Sequence, residues 1–177
     1  MPTFTNPNIH LATIEDAKQL ETLLNTAYRG ETAKLGWTHE ADLIAGNVRV
    51  NEAMVLENLN TNNAVFLKYV NDNADIIGCV NLKQNEQKKY LGMFSVHPTQ
   101  QGSGIGKQLL LAAEEYASHV GSNTIYMTVI SLRTELINWY KAKGYNETGE
   151  RQPFVEDAVT GSHLQKLEFM VLEKILN

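Results

Sequence analysis

The sequence predicts an α/β domain of mixed type: a central twisted sheet of about seven strands, mostly antiparallel, flanked by helices. Three observations carry this expectation. The middle of the chain holds three short runs rich in β-branched, aromatic and aliphatic residues, separated by turn formers. Helical segments before and after them repeat apolar residues three and four apart. A strand, a glycine-rich loop, a helix and a further strand follow one another near the centre, as in a sheet with helical crossovers.

The first strand is expected at Ile9–Ala12. Thr13 followed by Asp16 has capping-box spacing, and Ala17, Leu20, Leu24, Ala27 and Tyr28 then recur with helical period, with Gly30 as the stop. Thr38 is placed to cap a second helix whose first turn carries Glu40 and Asp42 and which Gly46 ends. Glu52–Leu59 reads as a further short helix. Ala64–Val70, Ile76–Leu82 and Lys89–Val96 form the antiparallel meander, and Pro98 ends it because it cannot donate to a ladder. Ile105, Leu109, Ala112, Ala113, Tyr116 and Val120 line one face of a strongly amphipathic helix that stops at Gly121. Thr124–Ile130 is a strand, Leu132–Lys143 a helix closed by Gly144, and Tyr145–Glu150 and Leu164–Leu172 are the last two strands.

The chain of 177 residues has the length of one domain and is read as a single unit over 1–177. Its 43% apolar and 20% charged residues are a globular composition. The lone cysteine, Cys79, excludes an intrachain disulfide and a cysteine-rich zinc site. The five histidines show no metal-ligand spacing, so no metal is expected. No apolar run reaches the length of a membrane span, and Met1 to His10 lacks the basic-then-apolar layout of a secretory leader, so a cytoplasmic protein without a membrane partner is expected. A net charge of −5 speaks against a nucleic-acid partner. Monomer and homodimer both stay open.

The stretch richest in chemistry runs from Ser95 to Lys107, where a strand enters the turn Gln101-Gly102-Ser103-Gly104-Ile105-Gly106 and the turn opens a helix. The first turn of a helix has unpaired N–H groups and a positive dipole end. Glycines let an anion approach them, which is a recurring way to hold phosphate. The dinucleotide fingerprint fails, because its third glycine would be Lys107, and the P-loop pattern fails at Gln101 and Gln108.

The turn instead has the form Gln/Arg-x-x-Gly-x-Gly/Ala, after a strand ending in Val-x-Pro and before Lys-x-Leu-Leu. It resembles the acyl-CoA loop of the GCN5-related N-acetyltransferase (GNAT) superfamily. Asn138-Trp139-Tyr140-Lys141-Ala142-Lys143-Gly144-Tyr145 resembles that superfamily's Tyr-x-Lys/Arg-x-Gly-Phe/Tyr segment and likewise follows a strand. Together the two motifs span roughly residues 88–150. Two positions depart from the pattern: Arg133 and Leu136 stand where Asn and Ala are frequent. The strand Tyr90–Val96 also lacks the glutamate often found there.

The resemblance implies a GNAT-like fold with a splayed strand pair forming an acyl-CoA cleft. It further implies direct attack of a primary amine on acetyl-CoA, used as a co-substrate, in a ternary complex. Carried over by position, Gln101, Gly102, Ser103, Gly104, Ile105, Gly106 and Lys107 would hold the pyrophosphate. Phe94, Ser95 and Val96 would pair with the pantetheine arm, and Gly92 hints at a bulge that turns this strand from its neighbour. Tyr140 would face the sulfur as general acid. The base stays open among Glu31, Glu40, Asp42 and Glu135, and Arg133 either replaces the missing cofactor contact or leaves it lost. Tyr28, Trp37 and Glu40 are candidates for the pocket of a small-molecule amine, Glu40 by attracting a cation, with Pro153 to Asp157 as the opposite wall. Two competing readings remain: a non-catalytic acyl-CoA-binding module of the same fold, and an acetyltransferase acting on proteins or peptides.

Overall fold

The computed structural model describes residues 2–176. Seven strands form one sheet in the order β1-β2-β3-β4-β5-β7-β6, with helices on both faces. The strands are β1 (Ile9–Leu11), β2 (Ala64–Val70), β3 (Ile76–Asn85), β4 (Lys88–Val96), β5 (Thr124–Ile130), β6 (Asn146–Pro153) and β7 (Glu168–Ile175). The helices are α1 (Ala17–Tyr28), α2 (Gly30–Ala33), α3 (Glu52–Asn60), α4 (Ile105–His119) and α5 (Thr134–Lys141). Every neighbouring pair is antiparallel except β4 and β5.

Strand alternation divides the core in two. Phe66 and Cys79 face one side, where they meet Leu20, Leu24 and Val55 of α1 and α3. Leu67 and Val80, one residue on, face the other side and pack on Leu109, Ala113 and Ala117 of α4. Gly78 of β3 lies directly beneath α4: a Cβ there would stand 2.7 Å from Leu109 Cδ1 and 3.1 Å from Ile105 Cγ2. The start of α4 is thereby pressed close to the sheet.

The site is created by how β4 leaves β5. The parallel register covers only Lys89↔Ile125 and Tyr90↔Tyr126. Beyond it β5 stays paired with β7 as far as Ile130↔Phe169, while β4 stays with β3 as far as Gly78↔Val96. The strands therefore open as a wedge. A bulge drives it: Met93 and Phe94 stand opposite the single residue Val80, and Met93 takes a left-handed φ of 45°. The expected bulge at Gly92 falls one residue later. Gly92 itself is required because the Tyr90 ring occupies the space of a Cβ, 2.8 Å away.

Two expectations are corrected. Thr38 caps no helix, and residues 38–46 are turns. A single helical turn forms, with the Leu43 and Ile44 amides donating to Glu40 O, before the backbone is diverted: Ala45 N donates to Ser162 O and Leu164 N to Leu43 O. The same pairing delays the last strand, which starts at Glu168 and not at Leu164. The short α2, which the sequence pattern does not announce, follows α1 after Gly30 turns the chain at φ 72°.

Gly78→Val overfills the contact between β3 and α4. A loss of about 1–3 kcal/mol in unfolding free energy is expected, measured by urea titration, because well-packed contacts of this kind relax poorly.

Candidate active site

The wedge opens into a cavity of about 480 Å³. Its narrow end is closed where Tyr90 Oη and Thr128 Oγ1 lie 3.0 Å apart across the two strands. At the other end stands the N-terminus of α4. Gly104 caps this helix in the left-handed region at φ 92°, and Gln108 N is the first amide to find its acceptor, Gly104 O, at 3.1 Å. The amides of Ile105, Gly106 and Lys107 belong to the open first turn and have no intrahelical acceptor. No Cβ stands over Gly106, whose neighbours Val96, Phe94 and Trp139 would be 3.7–3.9 Å from one.

Gln101 secures this end. Its Nε2 donates to Val96 O at 3.2 Å, and its Oε1 accepts from the Thr38 amide at 3.4 Å. Gly36 makes the contact possible, since a Cβ there would collide with the Gln101 amide. An aromatic file lines the cavity: Trp37, Trp139, Phe94 and Tyr140, with successive ring centroids 6.4, 6.2 and 6.3 Å apart. Burial pushes the Tyr140 hydroxyl far above its ordinary range, so it remains protonated. Tyr28 reaches from α1 to donate to Phe94 O at 2.8 Å, fixing the bulge carbonyl, and burial pushes its hydroxyl up to about 12.

A second part of the cavity is built around Glu40. Its carboxylate is buried between the guanidiniums of Arg29 and Arg133, the latter at 3.2 Å. Burial would raise its pKa, but Arg133, Arg49 and Arg29 outweigh that and hold the carboxyl below its usual value. Arg133, at the N-terminus of α5, also donates to Thr38 Oγ1 at 2.7 Å, and Arg29 donates to Thr160 O at 3.1 Å. One buried cluster thus joins α1, the 38–46 turns, α5 and the 154–164 loop. Phe154, Val155 and Asp157 of that loop form a wall of the cavity. Asp157 caps its own turn, accepting from the Val159 and Thr160 amides at 2.7 Å each.

A sequence profile of the Acetyltransferase (GNAT) family matches residues 20–145. The chain belongs to the GNAT acetyltransferase family. Solved structures share its fold at low identity. One is the ribosomal-protein-S18-alanine N-acetyltransferase of Escherichia coli, with 14% identity, a TM-score of 0.71, and coverage of 100% of this chain and 95% of that one. Another is smu.2055 of Streptococcus mutans UA159, at 16% identity and TM-score 0.72, covering 96% and 99% of the two chains. A third is the PaiA N-acetyltransferase of Thermoplasma acidophilum in complex with coenzyme A, at 19% and 0.70, covering 94% and 97%. No curated protein matches the chain in sequence.

Of the residues this GNAT sequence nominates, Tyr28, Trp37, Glu40, Phe94, Ser95, Val96, Gln101, Gly102, Gly104, Gly106, Lys107 and Tyr140 line the one cavity. Ser103 and Ile105 do not. Ser103 Oγ turns back to Gln100 O at 2.6 Å, and the Ile105 side chain is buried in the core under α4. Glu40 faces guanidiniums and is not a free anion awaiting a cation. Arg133 is directed to Glu40 and Thr38. Glu31 and Asp42 stand outside the cavity on the Lys34 ammonium, and Glu135 accepts from Thr38 Oγ1 at 3.1 Å. Among the described residues no group of three metal-ligating side chains converges, and no helix is long and apolar enough to cross a membrane. Arg29 and Arg49 also line the cavity. Both lie in segments without a motif, and only their distant partners give them a place.

Glu40→Ala leaves two buried guanidiniums without their carboxylate, and a loss of about 3–5 kcal/mol is expected. The depressed pKa sets the sign of the pH dependence. The Glu40 contribution is complete above its ordinary value near 4.5 and disappears as pH falls through the lower folded value. Urea titrations at pH 7 and pH 3 therefore show a larger difference between parent and variant at pH 7.

Proposed function

We propose that this chain is an acetyl-CoA-dependent N-acetyltransferase whose acceptor is the primary amine of a small metabolite. The observation that carries this reading is the wedge between β4 and β5, ending on the open first turn of α4 and walled by Tyr140. The residues fit the co-substrate. The Gly106 and Lys107 amides, left uncovered by Gly104 and Gly106, suit a pyrophosphate, with the Lys107 ammonium adding charge. The edge of β4 past Tyr90, which β5 leaves unpaired, suits an extended amide-bearing arm as an added strand. Acetyl-CoA supplies the thioester to be attacked.

The chain's own groups then divide the work. Backbone donors of the bulged edge, near Phe94 and Ser95, face the acyl oxygen. A donor aimed at developing negative charge is worth roughly 3 kcal/mol. Tyr28 keeps that edge in place through Phe94 O. Tyr140 donates a hydrogen bond to the departing sulfur. Burial makes its hydroxyl a far weaker acid than a thiol, whose ordinary pKa is about 8.5, so it stabilises the thiolate without giving up its proton. No free carboxylate lines the cavity among the described residues, because Glu40 is held by arginines and Asp157 by amides. The acceptor is therefore selected as the free base. Burial and the neighbouring guanidiniums disfavour an ammonium, and its proton leaves to solvent at the mouth.

Walls from the 36–40 and 154–160 segments narrow the cavity, which favours a small amine over a peptide. Thiol release from acetyl-CoA with a panel of small amines, against a panel of peptides, tests the reading. Turnover of a small amine is expected, and coenzyme A binding without any acetylation would identify a binding module. Gly104→Val forces a branched side chain into the left-handed region at the helix cap, so KM for acetyl-CoA is expected to rise at least tenfold. Tyr140→Phe is expected to lower kcat by about tenfold with little change in KM, as for loss of one transition-state hydrogen bond. The logarithm of kcat/KM is expected to climb with pH from 6 to 9 with unit slope, following the acceptor amine near 10.4. An inflection between pH 4 and 6 would instead reveal a carboxylate base.

A further inference from the structure

We infer that the acceptor carries an anionic group in addition to its amine, and that Arg49 is the residue that reads it. The inference rests on the acetyl-transfer reading of the cavity and adds the class of acceptor. Arg49 lines the cavity from the loop that leads into α3. Three hydrogen bonds to Asn25 fix the backbone of Arg49 and its neighbour Val50. Asn25 Oδ1 accepts from the Arg49 and Val50 amides at 2.6 and 3.0 Å, and Asn25 Nδ2 donates to Val50 O at 3.0 Å. The guanidinium lies over the Tyr28 ring, its carbon 5.2 Å from the centroid. Tyr28 is itself anchored to the β4 bulge. Yet among the described residues the Arg49 guanidinium has no ion-pair partner and donates no hydrogen bond.

The other guanidiniums and the carboxylates of the cavity are already committed. Arg29 and Arg133 share Glu40, and the Asp157 carboxylate is taken by its own turn. Positive charge is thus in excess at the acceptor end, and Arg49 is the guanidinium there with all its donors free. A guanidinium matches the planar or tetrahedral oxygens of a carboxylate or phosphate through two parallel hydrogen bonds. The Tyr28 ring beneath it takes up none of its hydrogen-bond donors, which stay available to a ligand. The same arrangement repels polyamines and other polycations.

Calorimetry on the full chain saturated with coenzyme A tests this without requiring turnover. The titrants are L-amino acids, aminoalkyl phosphates, the carboxamides of the same amino acids, and the corresponding decarboxylated amines. The anionic members are expected to bind at least tenfold more tightly than the carboxamides and decarboxylated amines. The carboxylate and phosphate arms identify which anion is preferred. Arg49→Gln is expected to erase the discrimination, and Arg49→Lys to keep part of it, since the charge survives and the fork does not. Equal binding of anionic and neutral members, or tighter binding of a polyamine, overturns the inference. So does an Arg49→Gln variant that loses coenzyme A affinity and keeps its preference for anionic amines, which would place the guanidinium on the cofactor. Discrimination without acetyl transfer would retain the anion subsite and remove the enzymatic reading. Acetyl transfer without discrimination would do the reverse.

Discussion

Glu40 is the point on which the geometry of the cavity depends. One carboxylate, almost wholly buried, holds Arg29 at the end of α1 and Arg133 at the start of α5. Through Arg29 the cluster reaches Thr160, and through Arg133 it reaches Thr38. The ends of two helices and two irregular segments are thereby kept at fixed separation. A buried ion pair adds little net stability, since desolvation offsets its attraction, but removing one member leaves the others at full desolvation cost. Such a cluster acts as a constraint on arrangement more than as a source of stability.

The second constraint belongs to the backbone. A parallel pair that separates after two register positions leaves strand edges that normally demand partners. In this chain the exposed edge of β4 is shielded from ordinary pairing by the bulge at Met93 and Phe94 and by the Tyr28 hydroxyl on the Phe94 carbonyl. The edge is thus both open and rigid. The glycine turn lies at the same end because Gly78 lets α4 settle on β3. The wedge and the helix terminus share one origin, the close seating of α4 beside a strand that has turned away from its neighbour.

How far this was legible in the chain follows from how local each signal is. The helix α4, its glycine entrance and the strands β2 to β5 obey periodicities of two and 3.6 that a short window reveals, and the loop and Tyr140 motifs lie on those elements. Gly92 announced the bulge to within a residue, because a missing side chain beside Tyr90 is a local feature. The turns at 38–46 have the sequence of a helix, since Thr38, Glu40 and Gly46 carry the spacing of one. The forces that forbid it come from Ser162 and Leu164, more than a hundred residues later. Arg133 was visible as a departure, but its partners were not. Arg49 carried no signal at all: its meaning depends on Asn25 and Tyr28, which only the fold brings beside it.

A chain with a net charge of −5 that lines its cavity with Arg29, Arg49, Lys107, Arg133 and Lys143 against two committed carboxylates separates its charges by place. The acidic surface does not decide what enters; the local potential does. Near the α4 turn, cationic side chains and helix amides suit a polyanionic co-substrate. On the function proposed above, the same sign of charge at the other end acts on the acceptor amine. An ammonium is disfavoured among guanidiniums and a neutral amine is not, so the cavity would shift that acceptor toward the nucleophilic form before any base is needed. Positive potential would also weaken binding of the amine unless the acceptor brings a compensating negative charge. Deprotonation without a carboxylate base and a preference for an anionic amine are therefore two consequences of one arrangement, with the arginines that surround Glu40 as their common cause.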